Sequence, residues 1–486
     1  MERISINPIT RLEGHGNIEI FLDEAGNVSR AYLQIPELRG FEKFAQGRPA
    51  EEMPRITPRI CGVCPTAHHM ASVKCLDALF QVQPPPAARK IRELFYNMFM
   101  FEDHLLHFYY LGGPDFIVGP KAPKAERNIL GVIGKVGLEI ARDLISTRKA
   151  VRELMTEIGG KVIHPVFGLP GGISKPLSPE IIARLKEVGK KALDFARFTL
   201  KAFHEIVLSN PQYLELITSP AYFLKTNYMG LVDEKNRVSF YDGEVRIVDV
   251  DGKEMGRFSG LDYLEYIAEH VEPWTYIKFP YLRKLGWKGF VDGEETSIYR
   301  VAPLARLNAA DGMKTPLAQE EYERFFETLG GKPVHHTLAY HWARVIEALQ
   351  AAERMVELSS DEEISSPDVR NLSLKTPREG VGIVEAPRGT LIHHYKTDER
   401  GIIQEANLIV ATVANAASMN MNIDRVAKAT IKEGRVDEDI LNLVEMAFRA
   451  YDPCFACATH SLPGGFPIKI KIFTRRGKKI KELSNL

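Results

Sequence analysis

Two Cys-x-x-Cys pairs, Cys61/Cys64 and Cys454/Cys457, hold four of the chain's five cysteines, and a histidine follows each pair (His68 and His460). Cysteine binds metals as thiolate, and a Cys-x-x-Cys turn points two sulfurs at one centre. About 390 residues separate the pairs, so a shared site requires the whole chain to fold around it. Four thiolates carry four negative charges. One zinc(II) offsets half of them and makes a closed structural site. Two divalent ions offset all of them, and two shared sulfurs can then bridge the ions. Soft sulfur ligands suit iron, nickel, copper(I) or zinc. Spacing alone favours structural zinc, yet zinc ribbons usually close within about 15–20 residues.

Other residue types could serve such a centre. Glu13, in the run Arg11-Leu12-Glu13-Gly14-His15, is either a solvated carboxylate or a buried one whose raised pKa suits proton transfer. His68 lies one helical turn beyond Cys64, within reach of a ligand sulfur, or is a core histidine. Asp103 and His104 interrupt an apolar helix; a charge there needs a partner, unless Asp103 caps a surface turn. Arg388 before Gly389 reads as a turn residue. Cys75 is a packing thiol. The stretch Pro170-Gly171-Gly172 lacks GxGxxG spacing and a preceding strand, so it is not a nucleotide loop.

The elements that must position these residues follow from pattern. Alternation predicts a hairpin within residues 1–36. A helix over about 65–80 starts at the first pair, where its dipole favours thiolate. After three prolines, Ile91, Leu94, Phe95, Met98, Phe101, Leu105 and Phe108 predict a long buried helix over 87–111. Helices are expected over 123–158, 178–208, 316–329 and 337–359, with a small β insertion near 237–300. Strands around Glu385-Ala386-Pro387-Arg388-Gly389 form a hairpin, and helices near 412–428 and 436–450 deliver Asp452 to His460.

Charge is balanced at 63 basic and 63 acidic residues, so nothing electrostatic points to nucleic acid. No apolar run reaches the roughly 18–20 residues of a membrane span, and the first residues lack a signal design. Cysteines in this pattern predict a reducing cytoplasm. A cubane cluster needs about four cysteines. Only Cys75 is left over, so electrons from a redox centre must leave through a partner that carries iron–sulfur clusters.

RICGVCPTAHH (59–69) and DPCFACATH (452–460), together with RLEGH (11–15), RGFE (39–42) and EAPRG (385–389), resemble the large subunit of nickel–iron hydrogenases, in order from about residue 5 to 460. The resemblance implies an α+β, mainly helical fold: a long central helix bundle around a buried bimetallic site, with small peripheral β-sheets. It implies one interlocked domain over 1–460 and a C-terminal extension, 461–486, removed after His460 on maturation. It makes Cys61 and Cys454 terminal nickel ligands and Cys64 and Cys457 bridges to an iron that also carries carbon monoxide and cyanide. It places Pro387, Arg388 and Thr412 around those diatomic ligands, with the Arg388 guanidinium over the open metal position and Asp103 and Asp452 orienting it. Cys454 or Arg388 takes the proton when dihydrogen splits, and Glu13 passes it outward. Glu42, the Leu408 carbonyl and His460 match a nearby magnesium site, with calcium or iron as other occupants.

Within that family the chain is most similar to the cytoplasmic, viologen-reducing type linked to heterodisulfide reductase, on His107-Phe108-Tyr109-Tyr110-Leu111, Pro114-Asp115-Phe116 and the ATH ending. Implied partners are an iron–sulfur small subunit, an electron-transfer subunit, heterodisulfide reductase and a maturation protease. Deazaflavin- or NAD(P)-reducing hydrogenases are the alternative. A non-catalytic relative like the quinone-site subunit of complex I, or a zinc scaffold, fits less well: the former has generally lost the paired cysteines.

Overall fold

Proline and capping residues start the helices that matter most. The computed structural model describes residues 3–161, 163–460, 469–473 and 479–484. Strands β1 (Arg3–Ile6), β2 (Asn17–Leu22) and β3 (Val28–Gln34) form an antiparallel sheet in that order. Helix α1 (Pro65–Leu79) follows Cys64 at its cap position, with Pro65 in its first turn, where a missing N–H costs nothing. Helix α2 (Pro86–Leu106) starts the same way after Pro85.

The single helix expected over 123–158 is in fact two, Ile129–Val136 and α3 (Leu138–Gly159), because Gly137 takes φ 92° between them. Helix α4 (Pro179–Phe203) is capped by Ser178. The ends expected at 111 and 208 are drawn out as wider π turns, His107–Gly112 and His204–Leu208.

A mixed sheet follows: β4 (Asn227–Val232), β5 (Glu244–Val248) and β6 (Glu254–Phe258), with the short strand Tyr299–Arg300 parallel to β4 at the edge. Its first strand precedes the expected insertion boundary at 237. Helix α5 (Pro303–Ala309) is wholly buried, and α6 (Tyr340–Ser359) is buried almost all round, as the middle helix of a bundle must be. It packs on α2 and α4, and α3 packs on both of those.

Strands β7 (Glu379–Ala386), β8 (Gly389–Thr397) and β9 (Ile403–Ile409) form an antiparallel sheet. Helices α7 (Ala416–Thr430) and α8 (Glu438–Arg449) complete the core. The architecture is α+β and mainly helical, with small sheets around a long central bundle. No helix among the described residues is long and apolar enough to cross a membrane. Of the C-terminal extension, residues 461–468 and 474–478 lie outside the described residues, and with them most of its basic stretch.

Two contacts draw the distant motifs together. Strand β7 lies backbone-to-backbone on α1: a Cβ on Gly382 would stand 2.0 Å from the Ala71 carbonyl oxygen. The second contact is ionic. Asp115, buried after α2, accepts from Arg11 at 2.5 Å and from Arg449 at 2.7 Å, tying the N-terminal segment to the end of α8. Burial pushes the Asp115 carboxyl up, but the two guanidiniums outweigh it and hold it below the usual range.

A carboxyl depressed by folding stabilises the fold above its unfolded pKa, and that stability is lost as pH falls through the folded value. Asp115→Asn should therefore cost about 3–5 kcal/mol near neutral pH, because it leaves the largely buried Arg11 without its carboxylate and Arg449 with Glu445 alone. It should also flatten the acid limb of a stability-versus-pH curve below about pH 4, the ordinary aspartate range. Denaturant titrations from about pH 3 to 7 measure both.

Candidate metal centre

The two Cys-x-x-Cys pairs meet in the interior. Cys61 to Cys454 is 3.1 Å between sulfurs, Cys64 to Cys457 is 3.4 Å and Cys454 to Cys457 is 2.8 Å. All four Sγ atoms lie within 4.8 Å of one another, each cysteine is buried, and none forms a disulfide. Four soft donors in one dry cluster fit thiophilic metal ions. Burial pushes the Cys61 thiol up, but hydrogen bonds from Cys454, Cys457 and Cys64 outweigh it and hold Cys61 well below its ordinary pKa. Burial pushes Cys454 and Cys457 well up. At Cys64 hydrogen bonds to Cys454 and Cys457 pull the thiol down, but Cys61 and burial carry it up to about 11.

Glu13 reaches the second pair directly. The Cys454 thiol donates to Glu13 Oε2 at 2.9 Å, and the Ala456 N–H donates to the same oxygen at 3.2 Å. The backbones interlock as well, since Phe455 N–H donates to the Glu13 carbonyl at 2.9 Å. Gly14 takes φ +86°, and a Cβ there would stand 2.6 Å from the Ala456 nitrogen. The glycine of RLEGH is thus required by both conformation and space. Burial, then Cys61, raises the Glu13 pKa.

Arg388 sits at the tip of the β7–β8 hairpin, where Ala386 pairs with Gly389 across a two-residue turn. Hairpin tips normally face water; this one is buried. Arg388 donates to both Asp103 oxygens at 3.1 and 2.9 Å and to Asp452 Oδ1 at 3.1 Å. Burial opposes its charge, but Asp103 and Asp452 outweigh it and keep it protonated. Asp103 is therefore no surface cap. Asp452 holds φ 57°, a left-handed conformation uncommon outside glycine.

Other expected residues sit as follows. Thr412 Oγ1 accepts from Cys454 N–H at 3.1 Å and lines a small enclosed cavity against the sulfurs with Arg388, Ala386, Leu391 and Val410. Pro387 turns its carbonyl to Arg306 at 3.4 Å and does not line that cavity. His68 lines it but binds no sulfur: its Nδ1 pairs with His393 Nε2 at 3.1 Å, and Nε2 has no partner. These contacts make His68 one half of a buried histidine pair, the core reading, and leave its Nε2 without a described partner. Glu42 Oε1 accepts from Leu408 N–H at 2.8 Å, and the His460 ring nitrogen contacts the Cys457 carbonyl at 2.5 Å.

Arg306 carries no signal in the sequence. From α5 it donates to both Glu347 oxygens at 2.6 Å, to Glu385 at 2.6 Å and to the Ala386 carbonyl at 2.9 Å. It satisfies the hairpin carbonyls that water would otherwise hold, and so lets the Arg388 turn be buried. Glu385, which EAPRG contains without an evident role, also accepts from Thr390 and from Leu231 N–H. His104 joins through Glu347 at 2.9 Å.

A family model described as nickel-dependent hydrogenase matches residues 39–130 and 229–460, and one described as HoxL-like matches 3–38. The chain is 49% identical, over the full length of both chains, to an F420-non-reducing hydrogenase iron-sulfur subunit of Archaeoglobus profundus. It is 42% identical to an F420-non-reducing hydrogenase subunit of Methanothermobacter thermautotrophicus, over 99% of this chain and 100% of that one. It is 38% identical, over 99% of each chain, to the NAD-reducing hydrogenase HoxS subunit beta of Cupriavidus necator. A crystal structure of an NAD+-reducing [NiFe]-hydrogenase superposes with TM-score 0.87 at 36% identity, covering 95% of this chain and 100% of that one.

The Arg306 cluster gives a direct check. Arg306→Met leaves Glu347 and Glu385 buried without their cation and should cost about 3–5 kcal/mol. Denaturant unfolding of the variant measures the loss; a cost under about 1 kcal/mol would contradict the role assigned to Arg306.

Proposed function

This chain belongs to the nickel-dependent hydrogenases as the large subunit of a nickel–iron oxidoreductase, and we propose how its residues divide the work. The observation that carries the proposal is the buried group of four sulfurs with Glu13 on one side and Arg388 near the other. Cys61 and Cys454 would hold nickel, and Cys64 and Cys457 would be shared between nickel and iron. When bound, that metal pair supplies the Lewis acidity that splits dihydrogen into a hydride equivalent and a proton.

Arg388, fixed by Asp103 and Asp452, keeps a positive charge and forked donors beside the reacting position. Cys454 Sγ takes the proton and hands it to Glu13 Oε2 along the existing 2.9 Å contact. Burial raises the Glu13 pKa, the direction that suits a proton carrier, and Glu13 opens onto a surface cleft with His15, Glu37 and Arg39. Thr412, Ala386, Leu391 and Arg388 would give iron's carbon monoxide and cyanide a small, mainly apolar enclosure. Glu42, the Leu408 carbonyl and His460 would hold a magnesium ion; an oxygen-rich set suits it, and the histidine is the less usual member.

Electrons leave through an iron–sulfur small subunit docked at the cleft outside Glu13, because Cys75 is the only cysteine not in the cluster and it is buried. We further propose heterodisulfide reductase beyond it, reached through an electron-transfer subunit, with a reducing cytoplasm as the setting. Higher identity to the F420-non-reducing relatives than to the NAD-reducing one favours this over an NAD(P) or deazaflavin acceptor. Residues 1–460 act as one domain, and a protease removes the rest after His460.

Three outcomes check this. Cys61→Ser should lose nickel, by elemental analysis, and with it hydrogen-dependent dye reduction. Glu13→Gln should keep nickel and iron but slow turnover about 10²–10⁴-fold, the usual worth of a positioned acid–base group. The intact mass of nickel-loaded enzyme should lack the 26 residues after His460; full-length mass in active enzyme overturns the cut.

A further inference from the structure

Arg127 is buried, 5% exposed, beside the Arg11–Asp115–Arg449 cluster. Its one described hydrogen bond is a long one, 3.3 Å from Nη1 to the Pro120 carbonyl, and its Nε has no partner. No described carboxylate lies within ion-pairing distance of it. A buried guanidinium without a counter-charge is costly, so folding this way calls for an anion from elsewhere.

The space for one is present. Arg127 lines a cavity of about 280 Å³ with Thr10, Arg11, Lys124, Asn442 and Glu445. That is several times the roughly 30 Å³ share of a liquid water. The nearby carboxylates are already engaged: Asp115 is shared by Arg11 and Arg449, and Glu445 accepts from Arg449 and Thr10. Lys124 is exposed at the rim and unpaired among the described ion pairs; so is Glu438, which lines the same cavity. Arg11 shows the local field: burial, then Arg449, pushes it down to about 10.

We propose that this cavity binds a small tetrahedral oxyanion of the phosphate class, held by the Arg127 guanidinium and by Lys124. Forked guanidinium donors match such oxygens in pairs, and an ammonium at the mouth adds a point charge. The site is separate from the sulfur centre and does not depend on the roles proposed there.

The test uses the purified enzyme with its partner subunits. Inorganic phosphate is titrated against chloride at equal ionic strength, and thermal unfolding is followed. Phosphate at about a hundred times its Kd should raise Tm by about 2–4 °C, and above Kd the rise should follow the logarithm of the phosphate concentration. Lys124→Gln, a change at the exposed rim, should move the onset of that rise to about tenfold higher phosphate, the worth of one charge-assisted contact; Arg127→Gln should abolish the response. Hydrogen-dependent dye reduction should be unchanged in both. Glu438→Gln should tighten phosphate binding by removing a repelling charge. The proposal is overturned if phosphate and chloride act alike, or if Lys124→Gln responds as the parent does. It is equally overturned if Glu438→Gln lowers Tm in chloride, since Glu438 would then be the missing counter-charge.

Discussion

Four sulfurs held within 4.8 Å of one another in a dry interior cannot all be thiolates unless cations join them. Mutual repulsion and lost hydration forbid it. The protein alone supports thiolate character at Cys61, through donors from its neighbours, and leaves Cys454 and Cys457 protonated. The nearest fixed cation, Arg388, is already matched by Asp103 and Asp452. The protein therefore lends no spare positive charge to the sulfurs. A pair of divalent ions would displace the remaining thiol protons and carry all four sulfurs as thiolates.

Everything around the sulfurs keeps that deficit from being relieved by water. Helix α6 is buried on nearly every face, and the α5 arginine replaces solvent at the hairpin carbonyls. The glycines of β7 allow a strand to lie directly on α1, so the Arg388 turn arrives beside the first cysteine pair without an intervening layer of side chains. The Glu13 segment closes the other side by backbone bonds to the second pair. One consequence is an asymmetric site: a carboxylate facing a surface cleft on one side, and on the other a guanidinium sealed in the core.

Much of this was legible in the chain. Cysteine is scarce, so two spaced pairs stand out, and the runs around Glu13 and Arg388 are short, local and ordered. Asp103 could be found because a carboxylate inside an apolar helical stripe needs a partner. The Arg306–Glu347–Glu385 cluster could not: arginine and glutamate in helices usually mark solvent, and only the fold brings α5, α6 and β7 together. His68 is a related case. Helical spacing places it near the sulfurs, but the residue that satisfies it, His393, lies 325 positions away. The single helix expected over 123–158 failed at Gly137, whose positive φ an apolar pattern does not reveal.

The separation of the two pairs, 393 positions between Cys61 and Cys454, has a consequence in time. At a synthesis rate of about 5–20 residues per second, the first pair leaves the ribosome roughly 20–80 s before the second is made. For most of that interval α1 lacks β7, and for all of it Cys61 and Cys64 lack the second pair. The nascent chain is then vulnerable to oxidation and to capture of stray zinc. A half-built site of this kind can be kept in order only by something that shields two thiols until translation ends.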